Sequence, residues 1–259
     1  MNNFNILPLE NNLSLAWLKA FEYLYESGDH ELSPTLVSIE VNNENIQEDT
    51  EIRNLLDKYL KKFDENSCQT VASTIFPISL WNIDRDADFL FKRYNDCWPL
   101  IKTADRNNAN GTYFQRMINY NIVINDTEPV NQLKKIIKTW KNNNHRRSAL
   151  HAAIFDPRKD HSDSRIKVFP CLQQVAFNPI GKNGENGFEI TGFYANQTLL
   201  EKAYGNYLGL FWLGKFMAKE MGLKLTKVNC IASVLKLTSG KNISDIRPFY
   251  NKLRKIYER

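Results

Sequence analysis

Apolar residues return at helical intervals in several stretches of the chain. Leu15, Leu18, Phe21 and Leu24 form one stripe and Gly28 follows as a stop, so residues 14–27 are predicted to be a helix. Ile52, Leu55, Leu56, Tyr59, Leu60 and Phe63 give an amphipathic helix over 51–63. Val130, Leu133, Ile136, Ile137 and Trp140 give another, ending in the polar run KNNNH. Residues 86–101 read as helical up to Pro99, where the proline ring and its missing N–H argue for a stop. Over 205–221 the apolar positions cover most of the circumference, the pattern of a central helix buried on all sides.

Strand patterns fall between these helices. SPTLVSIEVNN, SALHAAIF (148–155), residues 166–178, residues 188–194 and VNCIASVLKL (228–237) all read as extended. NPIGKNGENG holds two Asn-Gly steps between the third and fourth of these, a hairpin signal. The proline in TIFPISLW (74–81) argues against a central strand there. DRNNANGTYFQ and DPRKDHSDS (156–164) are loops by composition, and the last twenty residues read as a loop and a short basic helix. With no repeat, linker or break in composition, the economical reading is one α+β domain over residues 1–259.

Composition narrows the class. The 259 residues are 42% apolar and 24% charged, ordinary values for a folded domain. No window approaches the ~18 consecutive apolar residues of a membrane span. MNNFNILPLENN lacks the basic and apolar regions of a signal peptide, so a cytoplasmic setting is expected. Cys68, Cys97, Cys171 and Cys230 form no CxxC pair, so free thiols and no metal are expected. The net charge of +5 is scattered, apart from Lys252, Arg254, Lys255 and Arg259 near the end. That cluster suits a solvated face; a nucleic-acid groove needs a denser stripe.

Three stretches carry chemistry. FPCLQQVAF (169–177) is a Pro-Cys dipeptide entering a strand, and ITGFYANQTLLEKAYGNYLGLFWLGKFMAKEMGL (190–223) is a strand, a loop and a long buried helix. Arg146-Arg147 precedes a short strand, with Phe155-Asp156-Pro157 after it. Weaker echoes lie in GTYFQR (111–116) and AWLKAFEYLYESG. Together they resemble the thymidylate synthases and pyrimidine-nucleotide hydroxymethylases over most of the chain. The resemblance implies a three-layer fold with a mixed sheet and a long buried central helix. It also implies C5 methyl or hydroxymethyl transfer to a pyrimidine nucleotide, with 5,10-methylenetetrahydrofolate as one-carbon donor, in a homodimer.

Residue by residue, the resemblance makes Cys171 the nucleophile, which acts as its thiolate and so calls for nearby cations. Arg146 and Arg147 become a phosphate clamp that reaches into the partner's site. Asn206 becomes the amide that reads the pyrimidine edge, after a one-residue slip that would otherwise put Tyr207 there. Tyr194, Asn196 and Gln197 fall in the substrate pocket. Each also has a plainer reading: Cys171 as a core residue of an apolar strand, the arginines as an exposed turn after a helix end, and Asn206 as a helix cap.

The departures are as specific as the matches. Leu172 stands where the family has His after its Pro-Cys, and Ala195, Asn196, Gln197, Thr198 and Leu199 stand for Gln-Arg-Ser-x-Asp. Residues 232–237 replace the ribose-holding Gly-Asp-x-His-x-Tyr with no polar equivalent of its Asp, His and Tyr, and no residue matches the family's glutamate. Two readings therefore stand side by side: a divergent one-carbon transferase, or a catalytically silent nucleotide-binding or interaction protein on the same fold.

Overall fold

Alternation along the strands determines which way the sheet faces. The computed structural model describes residues 5–42, 44–120, 129–142, 146–161, 163 and 170–258. The strands are β1 (Asn5–Ile6), β2 (Glu31–Leu32), β3 (Thr35–Glu40), β4 (His151–Ala153), β5 (Leu172–Pro179), β6 (Phe188–Tyr194), β7 (Gln197–Thr198), β8 (Leu225–Ala232) and β9 (Leu235–Lys236). Six make one mixed sheet in the order β1-β3-β8-β6-β5-β4, and β2-β9-β7 make a small second sheet. In the large sheet β1–β3 and β6–β8 run parallel, and β3–β8, β5–β6 and β4–β5 antiparallel.

The helices are α1 (Leu13–Ser27), α2 (Thr50–Lys62), α3 (Cys68–Ile75), α4 (Ala87–Ala104), α5 (Tyr113–Ile118), α6 (Gln132–Lys141), α7 (Pro157–Asp160), α8 (Tyr204–Met221) and α9 (Ile243–Tyr257). Val37, Cys230, Gly192, Val175 and Ala152 form one row across five strands on the face that meets the helices. A Cβ on Gly192 would lie 2.8 Å from Leu210, so α8 passes directly over the sheet centre. Helix α8 is buried nearly all round, and one core cluster runs from Leu7 to Leu253. The chain is thus α+β with a mixed sheet and a long buried helix.

The opposite face of the sheet is open. Its rows are Leu36, Ile231, Phe193, Gln174, Ala153 and Ser38, Asn229, Thr191, Ala176, His151. Among these only Thr191 and Ala176 are buried. Asn229 ties the strands together, accepting from Ser38 Oγ at 2.8 Å and donating to Glu189 Oε2 at 3.3 Å. Lys227 Nζ pairs with Glu189 at 3.0 Å.

Several boundaries differ from the sequence expectations. Helix α4 continues through Pro99 because Pro99 and Asn95 are exposed, so the carbonyl freed by the missing N–H faces solvent. The 148–155 run forms a strand only at His151–Ala153: Arg147–Ala149 is a 3-10 turn, and the N–H groups of Ile154 and Phe155 both turn onto the Gln173 carbonyl, at 2.8 and 3.1 Å. DPRKDHSDS contains the single turn α7, capped by Asp156 with Pro157 at its first position. DRNNANGTYFQ contains a 3-10 turn over Arg106–Asn110 and then α5, capped by Thr112. The 228–237 run is two strands, broken where the Ser233 N–H donates to the Tyr194 carbonyl at 2.8 Å. Residues 166–169 of the expected third strand and residues 143–145 of KNNNH lie outside the described residues.

Candidate functional site

The end of the sheet where β5 begins and β6 ends collects the chemistry. Pro170 is buried, and the next residue, Cys171, is solvent-accessible just before Leu172 opens β5. The Ala195 N–H donates to the Cys171 carbonyl at 2.9 Å and fixes the cysteine beside the end of β6. From there the chain makes β7, then a π-helical turn over Leu199–Ala203 that runs directly into α8. A wider turn of this kind changes which side chains share a column and often marks a functional site.

A cavity of about 370 Å³ opens at this point. Cys171, Asn196, Gln197 and Asn206, chosen from sequence, all line it. Helices α3 and α5 and the loop before α5 form the opposite wall, with Thr74, Tyr113 and the amides of Asn107, Asn108 and Asn110. The volume is that of a small-molecule site. Most of its lining residues carry a carboxamide or a hydroxyl, groups that can both donate and accept, although more of the exposed wall is apolar than polar.

Asn206 is 4% exposed, and among the described residues no hydrogen bond reaches its side chain. It is not a helix cap. Helix α8 continues from the π turn, its preceding residue Ala203 is already helical, and Asn206 lies inside the first turn. Tyr207, the alternative in ungapped register, is fully buried with an unpartnered hydroxyl and does not line the cavity. Asn196 Oδ1 is likewise buried without a partner. Gln197 lines the cavity but its amide is engaged with Cys230, Nε2 to Sγ at 3.3 Å.

Tyr194 is buried behind this wall, its hydroxyl unpartnered and outside the cavity lining. Burial, with Cys230 and Tyr113 nearby, holds its hydroxyl firmly protonated. Arg146 and Arg147 are exposed ahead of the edge strand β4 and do not line this cavity; Arg146 Nε donates to Ser148 Oγ at 3.0 Å.

The charges at the cavity are few. Arg116 reaches it but is committed to Asp160, with Nη1 and Nη2 donating to the two carboxylate oxygens at 2.7 and 3.0 Å. Asp105 is the one carboxylate among the described lining residues, and its Oδ1 caps the following turn through the Asn107 N–H at 2.8 Å. Lys202, from the π turn, is half-buried and lines the same cavity. Although Cys171 is exposed as a residue, the protein packed around its sulfur raises the thiol above the ordinary cysteine value, and the Lys202 charge draws it part of the way back. Tyr113 is also raised by burial and by Cys171, while backbone groups of Leu172 and Cys171 bonded to its hydroxyl act the other way.

Sequence reasoning missed Lys202, Asp105 and Tyr113. Lys202 had only a weak signal, as a cation four before Asn206, beside Glu201 and just ahead of the helix read over 205–221. Tyr113 lies in GTYFQR, one of the weaker echoes, but was given no role, and residues 105–110 had no signal, because nothing in a polar loop shows which part of the fold it faces. No model of a known protein family matches this chain, and no curated protein matches it.

Proposed function

We propose that this chain is a divergent thymidylate-synthase-like protein that modifies C5 of a pyrimidine nucleotide through Cys171. The observation that carries the reading is convergence. Cys171 and Asn206 come from separate elements, were selected for complementary roles, and line one cavity together with Asn196 and Gln197. Addition of the Cys171 thiolate to C6 of the ring would leave C5 electron-rich and able to attack a one-carbon unit. Asn206 would orient the ring, its amide matching the adjacent donor and acceptor of a uracil edge.

The residues present do not fit a folate as the resemblance implies it. Leu199 stands in place of the family's aspartate, is fully buried, and gives its carbonyl to Trp17 Nε1 at 2.9 Å. The reading therefore uses only the cysteine addition and leaves the one-carbon donor outside the mechanism.

The open sheet face supports a homodimer. Lys227 beside Glu189, flanked by Ile231 and Phe193, gives a surface that can meet its own copy in isologous fashion. A pairing across that face would carry Arg146 and Arg147, just ahead of edge strand β4, toward the partner. The setting we propose is cytoplasmic, where the four cysteines, all free, stay reduced. Among the described residues no helix is long and apolar enough to cross a membrane.

A second reading is supported by the replaced positions, Asn196 in place of an arginine, Leu199 in place of an aspartate and residues 232–237 in place of the ribose-holding segment: a silent relative that binds a nucleotide without reacting. Proton exchange at C5 of bound nucleotides separates the two, because exchange requires cysteine addition and binding alone does not.

A further inference from the structure

Among the described residues two cations line the candidate cavity, Arg116 and Lys202, and the charges of Arg116 and of Lys241, which bonds the residue next to Lys202, are spoken for. Arg116 is held by Asp160, and Lys241 by Glu201 and Glu65 at 2.8 and 3.0 Å. Lys202 has no carboxylate partner among the described residues. Lys202 in the π turn and Asn206 in α8 form a column four residues apart on the cavity side, and Thr198 at the end of β7 lines the same cavity. Four residues make slightly more than one α-helical turn, so such a column drifts around a regular helix. The π turn at Leu199–Ala203 is wider, which lets this polar column stay on the cavity side while the rest of the helix is buried. Two residues past Tyr194, where the resemblance expects an arginine, the chain has Asn196.

We propose that Lys202 is the positioning residue that makes Cys171 reactive, its ammonium stabilising the thiolate across the cavity. This rests on the reading of Cys171 as nucleophile. The thiol proton leaves to solvent through the cavity mouth, and the sulfur keeps the electron pair opposite the ammonium. Among the described residues, the other groups around Cys171 do not supply this charge. Tyr113 and Tyr194 are held protonated, Arg116 is paired with Asp160, and Asp105 carries no cationic group. The unpartnered, buried Asn206 in the same lining marks the cavity as built for a ligand beside the sulfur.

The test is the pH dependence of Cys171 alkylation by iodoacetamide in the full chain, followed by peptide mass spectrometry so that Cys97 is scored separately. In Lys202→Met the midpoint should rise by about half a pH unit or more, and the rate at pH 8 should fall about threefold or more. Lys202→Arg should restore the wild-type profile. An unchanged midpoint in Lys202→Met, or Lys202→Arg behaving like Lys202→Met, overturns the proposal. If Lys202→Met does not fold, Lys202→Gln serves the same comparison. These outcomes do not depend on nucleotide chemistry. A shift in alkylation with no C5 exchange would uphold Lys202 and remove the transferase reading.

Discussion

Glu201 shows how a single buried charge is held beside this cavity. Burial alone would raise its carboxyl, but hydrogen bonds from Lys241 and Thr238, at 2.8 and 2.5 Å, and the Lys241 charge bring it below 4.5. A carboxyl lowered by folding adds stability that is fully present above its unfolded value. That stability is lost as pH falls through the folded value. Urea midpoints should therefore fall below about pH 4.5 in the wild type. Glu201→Gln should be less stable at pH 7 and lose less on acidification; equal acid sensitivity in both would remove Glu201 as the cause. Positions were legible through the resemblance rather than through local chemistry: it picked out Cys171 and Asn206, and the two do share a cavity. Lys202 could not be assigned, since its partner is 31 positions away and the charge of a helical lysine usually means a solvated face.

Among elements, the crossing of α3 and α8 supports the site most directly. A Cβ on Gly205 would lie 2.6 Å from the Cys68 carbonyl oxygen, and one on Gly209 would lie 2.8 Å from that of Ala72. Two glycines four apart let the helix backbones touch, and Asn206, next to the first, is thereby set in the cavity wall. Gly205→Ala should cost about 1–3 kcal/mol in urea denaturation, because backbone rather than a flexible tip must move. A loss below a few tenths would show that the crossing has room to spare. Element types were legible wherever periodicity was long, as in α1, α2, α6 and α8. The two-residue strands β1, β2 and β7 carry too few positions for alternation to show. The passage of α4 through Pro99 depends on solvent around Asn95, which no local pattern records.

For the whole molecule, the order β1-β3-β8-β6-β5-β4 sets β5, which follows Cys171, beside β6, which leads by way of β7 into α8 and Asn206. Strands β5 and β6 are hairpin partners, which the Asn-Gly steps announced, while β8 enters beside β6 in parallel from the far end of α8. That long-range pairing cannot be read from periodicity, and it is what turns residues 171 and 206 toward one space. The open face predicts assembly. The 30.2 kDa chain should sediment as a dimer, and Ile231→Glu should convert it to a monomer. A wild-type monomer at working concentration would contradict the homodimer and leave Arg146 and Arg147 as a surface turn.

The central claim is that Cys171 adds to C6 of a pyrimidine nucleotide. The most direct measurement follows loss of the C5 proton signal by NMR in deuterated water, for dUMP, dCMP, UMP and CMP with and without the protein. The account predicts exchange of one of these nucleotides by the wild type and none by Cys171→Ala of unchanged circular dichroism. Exchange that persists in Cys171→Ala, or no exchange across the panel by a folded wild-type protein, would contradict it.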